Sequence, residues 1–308
     1  MKIAYLVFAY NNPALLKREI EALTSKNCAF FIHIDQKSNL EDFASIEGEN
    51  VIFSKQRIPV YWAEFSGVEA ILLLLRLAMS GTDRYDYFVL LSGSEYPIRS
   101  REYIEWFFEQ NDGAEFISMV KIPNVEAGKP ISTMNTIRIQ SSQPFRHFAM
   151  RVCAKVGLAQ RDCRRYLGNL EPHSGNTWWA LSRNACNYIL EFVERNEHIV
   201  DFFKSVGVPE ESFFHTILGN SDFAPRIRRN LVYEDWSTRG AHPCIIETRH
   251  VEFFERQDRV SLDDVYGAGE LLFARKLLGD NMALVDRIEN MIELKECAHS
   301  AVSTGLFR

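Results

Sequence analysis

The stretch "YDYFVLLSG", residues Tyr85–Gly93, decides the fold of this 308-residue chain. It holds a continuous apolar run that ends in small, turn-forming residues. That pattern is typical of a central strand that is buried on both faces of a sheet. Such strands occur where helices cover both faces of a parallel sheet. If this interpretation is right, strands and helices should alternate along the chain on either side of it.

Strand-like runs and helical patterns do alternate through the first 120 residues. The other predicted strands here are "IAYLVFAY" (Ile3–Tyr10), "AFFIHID" (Ala29–Asp35), "VIFSK" (Val51–Lys55) and "AEFISMV" (114–120). Apolar residues have helical spacing in "NPALLKREIEALT", "FSGVEAILLLLRLAM" and "REYIEWFFEQ", and Asn12 and Pro13 are the expected cap and first residue of the first helix. This order predicts an α/β fold with a Rossmann-like, mostly parallel sheet flanked by helices.

The second half of the chain is predicted to continue the same fold after an irregular segment. That segment, about residues 121–172, is interpreted as an inserted lobe or an acceptor-side loop. A strand and a helix follow in "NTWWALSRNACNYILEFVERN", then a helix from Glu210, the extended run "ELLFARKLL" and a closing helix from Asn281 to Glu296. No internal repeat or low-complexity linker interrupts the sequence. We therefore expect a single domain over residues 1–308.

Composition and charge exclude several classes of protein. The net charge of −6, with no block of five or more like charges, argues against a nucleic-acid partner. The short basic clusters "RDCRR" and "RIRR" are typical of solvated faces or local anion contacts. The longest apolar run outside the strands, Ala70–Met79, is interrupted by Arg76 and is too short to cross a bilayer. We expect a cytoplasmic protein without a transmembrane segment, and peripheral association with a membrane is compatible with that expectation.

The cysteines point to a reducing compartment. There are six of them, and no two have the C-x-x-C spacing of a metal or redox site. Several stand in apolar stretches, as Cys186 does in "NACNYIL". Free, mostly buried thiols and no structural zinc are therefore expected.

Polar, turn-forming residues follow three of the predicted strands. They are "AYNN" after the first strand, "HIDQKS" after the second and "LSGSEYPIRS" after the fourth. Ligands of open α/β sheets bind beyond the carboxyl ends of the strands, and this convergence suits a nucleotide. The sequence contains no G-x-G-x-x-G, no P-loop, no H-E-x-x-H and no G-x-S-x-G. These absences argue against the corresponding dinucleotide, P-loop, metalloprotease and α/β-hydrolase sites.

Several candidate residues have two interpretations when each is read alone. Asp35 can be a turn residue or a carboxylate that binds a nucleoside. Trp62 and Trp178 can belong to the core or stack on the C–H face of a sugar. No D-x-D spacing is present to hold a metal-bound diphosphate. Arg275 and Lys276, in "FARK", can neutralise a diphosphate instead, or can be a surface pair.

Taken together, these segments resemble glycosyltransferase family 14, the family of core-2/I-branching enzymes and peptide O-xylosyltransferases. The matching segments are "FFIHIDQKS", "VYWAEFS", "YFVLLSGSEYPIRS", "SGNTWWALSR", "VPEESFFHTILGNS", "NLVYEDW" and "LLFARKLL". They follow one another in family order from about residue 3 to residue 290. The most specific are "PEESFFHTIL" and "FARK", where the xylosyltransferase branch is more similar than the core-2 branch.

The resemblance implies a GT-A fold, an inverting transfer from a UDP-sugar and no metal or other cofactor. It implies that Glu211 is the catalytic carboxylate and that Trp178 and Trp236 lie on the acceptor side. The residues it assigns to the donor are Asp35, Lys37, Trp62, Ser92, Glu95, Arg99, Arg275 and Lys276. The partners would be a UDP-sugar and a glycan or glycolipid acceptor.

Some positions depart from the family pattern. Glu95 stands where the family usually has aspartate, and Thr177 stands where xylosyltransferases have an aspartate. The second departure argues against transfer of xylose to a protein serine. The amino-terminal membrane span and the disulfides of the family's anchored members have no counterpart in this sequence.

Two carboxylates compete for the role of base. Glu210 and Glu211 follow Pro209, which suits the start of a helix. In the first turn the helix dipole favours an ionised carboxylate by roughly 0.3–1 kcal/mol, so a cap can also serve as a general base. We expect Glu210 to be the helix-start acid and Glu211 to be the base.

Two functional hypotheses follow. The first is an inverting, metal-independent enzyme that moves GlcNAc or xylose from a UDP-sugar to a glycan hydroxyl, in surface polysaccharide or glycoconjugate biosynthesis. The alternative is a non-catalytic protein of the same fold that binds a nucleotide or a carbohydrate.

Overall fold

The computed structural model describes residues 1–138, 159–238, 240, 242–279 and 281–303, with side chains up to residue 297. The strands are β1 Ile3–Ala9, β2 Cys28–Ile34, β3 Val51–Phe53, β4 Tyr87–Ser92, β5 Glu95–Pro97, β6 Glu115–Lys121, β7 His173–Ser182, β8 Ile227–Arg228, β9 Val232–Glu234, β10 Ser261–Asp264, β11 Gly267–Glu270 and β12 Phe273–Arg275. The α-helices are α1 Pro13–Leu23, α2 Ser66–Ser80, α3 Arg101–Gln110, α4 Ser132–Asn135, α5 Arg164–Leu167, α6 Arg183–Arg195, α7 Glu197–Phe203, α8 Phe213–Gly219, α9 Thr248–Glu255 and α10 Met282–Ser303. Short 3₁₀ turns cover Leu40–Phe43, Pro209–Glu211 and Ala224–Arg226.

The main sheet has seven strands in the order β3-β2-β1-β4-β7-β6-β8. The first four are parallel, and β7 runs antiparallel to both of its neighbours. All six residues of β4 are buried, because β1 and β7 flank it and helices cover the sheet. The predicted α/β class and the mostly parallel sheet are therefore confirmed.

The first helix begins where the sequence predicted, but without the expected cap. Pro13 is its first residue. Asn12 has a left-handed backbone with φ of 56°, and its side chain makes no capping hydrogen bond. Its backbone carbonyl accepts a bond from the Leu16 amide at 3.0 Å. The left-handed turn lets the chain leave the end of β1 and enter α1 directly, and asparagine tolerates this conformation better than most residues.

A smaller three-stranded sheet assembles distant parts of the chain. Its order is β5-β12-β9, and Arg275 of β12 is opposite Glu95 of β5 and Glu234 of β9. A second apolar cluster supports it, with Tyr96 and Ala274 from the sheet packed among residues of α9 and α10. This sheet therefore sets three charged side chains side by side.

A β-bulge brings β6 and β7 unusually close together. Their register shifts between Ile117 and Met119. A Cβ on Gly175 of β7 would lie 1.6 Å from the Ser118 carbonyl oxygen. Only glycine fits at this position, so the approach of the two strands fixes the backbone at the site end of β7.

The irregular segment predicted at about 121–172 is described only in part. Its described residues include the short helices α4 and α5, and the guanidinium of Arg161 donates to Ser205 Oγ at 2.7 Å. Residues 139–158 lie outside the described ranges, so its interpretation as an acceptor-side loop stays a prediction.

The described residues also bear on the membrane and cysteine expectations. None of their helices is both long enough and apolar enough to cross a bilayer. Five of the six cysteines lie in the described ranges, and all five are free thiols, as expected. Three of these are buried, while Cys244 is partly exposed and Cys297 exposed.

Candidate active site

The guanidinium of Arg275 is the centre of the candidate site. It forms an ion pair with Glu95 and donates a hydrogen bond of 3.1 Å to Ser92 Oγ. Its Nε lies 3.8 Å from Glu234 Oε1. The guanidinium also lies 4.4 Å from the centroid of the Trp178 ring, in cation–π geometry. Three predicted site residues, Ser92, Glu95 and Trp178, therefore fix the position of a fourth, Arg275.

Glu95 is the best-supported carboxylate of this group. It is completely buried, and its Oε2 accepts bonds from the Ser92 amide at 2.5 Å and the Ser92 hydroxyl at 2.7 Å. With Arg275 on the other oxygen, its negative charge is met on both sides. The glutamate that replaces the family aspartate is thus long enough to reach Arg275 across the strand pair.

Glu19 of α1 adds a second buried carboxyl. It is 1% exposed, and neither of its oxygens has a hydrogen-bond partner among the described residues. Burial raises its pKa well above the ordinary value, and the nearby charge of Glu95 raises it further. Burial without a hydrogen-bond partner therefore favours the neutral form of Glu19.

Glu234 is a third carboxyl on the same guanidinium. Its Oε2 accepts a bond of 2.9 Å from the Asn176 side-chain amide. Burial raises the pKa of Glu234 to about 7; Arg275 opposes this rise, while Glu95 and Glu211 add to it. Glu234 therefore changes its charge near neutral pH.

Glu211 lies in the 3₁₀ turn Pro209–Glu211 and is paired with a lysine. The ammonium of Lys129 donates to Glu211 Oε2 at 2.6 Å and to the Gly175 carbonyl at 2.8 Å. The Glu211 side chain is 30% exposed, so solvent or a substrate can reach it. Lys129 thus places a positive charge directly against the predicted base.

The predicted helix start at Glu210 is wrong. The α-helix begins at Phe213, because Ser212 has φ of −141° and interrupts the turn. A single 3₁₀ turn has too few aligned peptides for the dipole effect assigned to the first turn of a helix. The electrostatic support of Glu211 comes instead from Lys129.

Glu210 and Glu211 have different surroundings, and the role expected for Glu210 changes. A Cβ on Gly67 would lie 3.9 Å from Glu210 Cδ, so this carboxyl packs against the first turn of α2. Glu210 Oε2 has no hydrogen-bond partner among the described residues. Burial raises its pKa to about 8, and the charge of Glu211 contributes to the rise. The Glu210 Oε2 atom is buried, whereas the Glu211 side chain is 30% exposed.

This difference gives a stability prediction for Glu210→Gln. The pKa of Glu210 in the folded chain lies above its ordinary value, so the folded state loses stability as pH rises from about 4.5 through 8. The amide removes that loss, and we expect the variant to be more stable than wild type by on the order of 2–4 kcal/mol at pH 9. At pH 5 the two proteins should differ little. Urea unfolding at both pH values measures the difference in free energy of unfolding between the variant and wild type.

The control for this prediction is Glu194→Gln, the same change at an exposed position of α6. It should shift stability equally little at both pH values. An equal gap between Glu210→Gln and wild type at pH 5 and pH 9 would contradict the assignment of Glu210 as a buried acid.

Asp35 and Lys37 lie together at the end of β2. Asp35 is 6% exposed, its Oδ1 accepts a bond of 2.9 Å from the Lys37 amide, and its Oδ2 lies 3.4 Å from the Lys37 ammonium. Arg57 donates to the Asp35 carbonyl at 2.7 Å and fixes the turn. Asp35 therefore serves as a turn residue in the unliganded chain, and its contact with a nucleoside stays a prediction.

The predicted tryptophans differ in exposure. Trp62 is 69% exposed, and its ring centroid lies 5.7 Å from that of His242 in a T-shaped contact. Trp236 is 42% exposed. Trp178 is 4% exposed and stacks on Phe8 as well as on Arg275, so its ring is covered in this structure. Trp62 and Trp236 are accessible to a sugar, whereas Trp178 supports Arg275.

The loop that carries Trp236 is anchored by its neighbour Asp235. That carboxylate lies 2.9 Å from His250 Nε2 and 3.0 Å from the Arg249 guanidinium. Burial opposes its ionisation, but hydrogen bonds from His250 and Ser237 hold the pKa of Asp235 well below its usual range. Asp235 therefore stays ionised at pH values near 7.

Two predicted donor residues are placed differently from the rest. Arg99 is 4% exposed, forms a 3.0 Å ion pair with Glu270 and lies 4.5 Å from the Tyr103 ring centroid. None of its described contacts is with another predicted donor residue. Lys276 is half-buried after the end of β12, and its ammonium has no ion-pair partner in the described part of the chain. The closing helix, predicted from Asn281, begins at Met282.

Sequence reasoning missed four residues of this site: Glu19, Lys129, Asn176 and Glu234. Glu234 and Asn176 stand in segments quoted for other residues, "NLVYEDW" and "SGNTWWALSR". Lys129 belongs to the irregular segment, where no periodicity identifies its partner. Glu19 lies on helix α1, and a charged residue of a helix is ordinarily expected to face solvent. Only the buried position of a charged residue could have identified Glu19 or Glu234, and burial is a property of the fold.

Adjacent residues of β7 connect the two ends of the site. Gly175 accepts the bond from the lysine that holds Glu211, and Asn176 donates to Glu234 beside Arg275. His215 of α8 lies with Nε2 2.9 Å from the Asn176 carbonyl. Burial lowers the pKa of His215 to about 3, so the neutral ring donates this bond. The described residues contain no group of three His, Cys, Asp or Glu side chains placed to hold a metal ion.

Comparison with known proteins identifies the family of this site. The core-2/I-branching enzyme profile matches residues 3–258, which is most of the chain. The chain belongs to the core-2/I-branching enzyme family. The matched range contains Glu211 and Glu234 and ends before Arg275 and Lys276.

Relatives of the chain include xylosyltransferases of animals. Xylosyltransferase sqv-6 of Caenorhabditis elegans is 23% identical over 304 residues, which are 90% of this chain and 34% of that protein. Xylosyltransferase 2 of Mus musculus is 25% identical over 296 residues, 90% of this chain and 32% of its own. The chain thus spans about a third of the length of these relatives. The apo crystal structure of mouse xyloside xylosyltransferase 1 aligns with 88% of this chain and 97% of its own, at 11% identity and a TM-score of 0.37.

Proposed function

We propose that the chain is an inverting glycosyltransferase that moves a sugar from a UDP-sugar to a hydroxyl of a glycan or glycolipid acceptor. One observation carries the proposal: an accessible carboxylate, Glu211, and a fixed guanidinium, Arg275, both lie near Glu234, since Arg275 Nε is 3.8 Å from it and the charge of Glu211 raises its pKa. Sugar transfer by single displacement requires one group of each kind, a base for the attacking hydroxyl and a cation for the departing diphosphate.

The proposed reaction is a single displacement at the anomeric carbon. The acceptor O–H gives its proton to Glu211 as its oxygen bonds to that carbon. The bond between the carbon and the UDP oxygen breaks at the same time, and the electron pair leaves with UDP. Arg275 and Lys276 meet the developing negative charge on the diphosphate. Attack opposite to the leaving group inverts the anomeric configuration.

The paired state of both groups suits an unliganded site. Lys129 holds Glu211 in one orientation, and an acceptor hydroxyl can approach the carboxylate because it is 30% exposed. Glu95 and Ser92 hold Arg275 against Trp178, so the guanidinium has little rotamer freedom left to lose when a diphosphate binds. Preorganised charges of this kind stabilise a transition state without further rearrangement.

The donor sugar is proposed to be GlcNAc or xylose, and the pathway to be surface polysaccharide or glycoconjugate biosynthesis. The relatives named above are xylosyltransferases, which favours xylose as donor sugar. Thr177, which stands where the xylosyltransferases have an aspartate, favours a glycan hydroxyl over a protein serine as acceptor. The alternative is a protein that binds a nucleotide or carbohydrate without turnover. It would explain the position of Arg275, but it would not require an accessible carboxylate at Glu211.

The test is release of UDP from a panel of UDP-sugars, with and without simple glycan acceptors. Acceptor-dependent release of UDP from at least one donor supports the proposal. Tight UDP binding without release from any donor favours the binding protein. No binding of UDP and no release would contradict the enzyme hypothesis and would leave carbohydrate binding as the form of the alternative to test.

Metal independence is a separate prediction. The absence of D-x-D leaves Arg275 and Lys276 as the groups that neutralise the diphosphate. We therefore expect turnover with excess EDTA to match turnover without it, and added Mn²⁺ or Mg²⁺ to change the rate less than twofold, which is about 0.4 kcal/mol in the barrier. Loss of activity in EDTA that Mn²⁺ restores would overturn this prediction.

A further inference from the structure

Three carboxyls surround one cation in the small sheet. Arg275 faces Glu95 on one side and Glu234 on the other in strand register, and Glu19 approaches from α1. Because burial without a hydrogen-bond partner favours the neutral form of Glu19, the charges to be balanced are those of Glu95 and Glu234, and the guanidinium can neutralise one of the two. If UDP binds at Arg275, as proposed above, it adds at least two negative charges to a group that already has an excess. A buried site accommodates such an excess only by gaining a positive charge or losing a negative one.

We propose that Glu234 is a positioning residue that takes up a proton when the donor diphosphate binds Arg275, and returns it when UDP leaves. This proposal rests on the proposed function and deepens it. While Glu234 is ionised it attracts the Arg275 Nε, 3.8 Å away. When protonated it no longer competes with the diphosphate for that guanidinium. The number of protons is balanced over one catalytic cycle, because the same carboxyl gains and loses one.

The hydrogen bonds of the cluster identify Glu234 as the group that gains the proton. Glu95 has three hydrogen-bond donors, the Ser92 amide, the Ser92 hydroxyl and Arg275. Its negative charge is therefore better stabilised than those of Glu211 and Glu234. Glu211 is paired with Lys129 at 2.6 Å. Glu234 accepts hydrogen bonds from the Asn176 amide at 2.9 Å and from the Trp236 side chain, but the Arg275 Nε lies 3.8 Å away, so Glu234 has the weakest ion pair of these three carboxylates.

The groups that face Glu234 come from six segments of the chain. Arg275 is on β12, Glu95 on β5, Asn176 on β7 and Glu211 on the 3₁₀ turn, and Trp236, on the loop after Glu234, donates a side-chain hydrogen bond to it. Tyr266, between β10 and β11, also senses the charges of Glu211 and Glu234, and burial raises its pKa, so it stays neutral. Arg275 is the one cation among them. The pKa of about 7 for Glu234 in the unliganded chain places its titration where an added diphosphate can shift it upward across neutral pH.

The consequence is a pH dependence of donor affinity with a definite sign. Above pH 7 the unliganded Glu234 has lost its proton, and UDP must bring one in from solution. UDP affinity should therefore fall by up to about tenfold for each unit of pH between 7.5 and 8.5. A terminal phosphate, with a second pKa of about 6, is already fully ionised in this range and does not contribute.

The experiment is calorimetric titration of the full chain with UDP at pH 8, in HEPES and in Tris. The dependence of the measured heat on the ionisation heat of the buffer gives the number of protons taken up. We expect about 0.5–1 proton per UDP for wild type and less than about 0.2 for Glu234→Gln. Glu234→Gln should also bind UDP about three- to tenfold more tightly than wild type at pH 8.5, and equally well at pH 6.

The matched control is Glu19→Gln, a substitution of the same kind in the same cluster. Because burial without a hydrogen-bond partner favours the neutral form of Glu19, this variant should keep the proton uptake of wild type. Zero uptake by wild type at pH 8, or uptake unchanged in Glu234→Gln, would overturn the proposal. The wild-type measurement decides this even if the variant does not fold. If wild type does not bind UDP at all, the proposed function fails instead.

Discussion

Glutamine in place of Glu211 is expected to lower kcat by about 10²- to 10⁴-fold and to leave UDP affinity within about twofold of wild type. The amide keeps the size and the hydrogen-bonding reach of the carboxylate but cannot accept the proton of the acceptor hydroxyl. UDP binding survives because the groups proposed to hold the diphosphate, Arg275 and Lys276, are unchanged. Steady-state kinetics and a UDP titration on the same preparation measure both quantities.

The neighbouring substitution Glu210→Gln is the matched control. It makes the same chemical change one residue earlier, at a carboxyl that packs against α2 rather than facing the accessible side. It should keep at least half of the wild-type kcat. If Glu211→Gln retained most of its turnover, or if the two variants lost activity equally, Glu211 would not be the base.

The second large effect is expected at Arg275. Charge stabilisation of the leaving group acts mainly in the transition state, so Arg275→Ala should raise the barrier at saturating donor by about 2–4 kcal/mol, which lowers kcat by roughly 30- to 10³-fold. The donor KM should change less. Removal of the guanidinium also leaves Glu95 without its cation, which adds a stability cost. Thermal unfolding of each variant separates that cost from the kinetic one.

Three further variants sharpen this test. Arg275→Lys keeps the charge but loses the planar contact with Trp178, and should retain more activity than Arg275→Ala. Lys276→Ala should lose kcat without a change in stability, because its ammonium has no ion-pair partner in the described residues. Arg195→Ala, at an arginine whose side chain is 76% exposed, should behave as wild type. Wild-type turnover in Arg275→Ala or Lys276→Ala would remove that residue from the diphosphate site.

The parts of the fold that the sequence predicted well have local causes. The apolar run of β4 and the helical spacing in α1 and α2 reflect burial on two faces or one, and each is visible in a short window. The start of the helix after Pro209 was misplaced because Ser212 adopts a backbone conformation that its type does not dictate. Local preference is a weak guide where tertiary packing overrides it.

The pairing of site residues could not be read from the sequence, because the partners are far apart along the chain. Lys129 is 82 residues from Glu211, and Arg275 is 180 residues from Glu95. The family resemblance identified Glu211 and Arg275 as candidates, but not the groups that hold them. Glu234 needed both its burial and its distance to Arg275, and neither quantity exists before the chain is folded.

The small sheet has a consequence for folding of the chain during its synthesis on the ribosome. Synthesis runs from the amino terminus, so β1, β2 and β4 can pair while the rest of the chain is still being made. The β5-β12-β9 sheet must wait for residues 273–275, and its pairing spans 180 positions, a separation that slows folding. A polypeptide released at residue 258 would therefore have every strand of the main sheet, but β5 and β9 would lack the strand that lies between them.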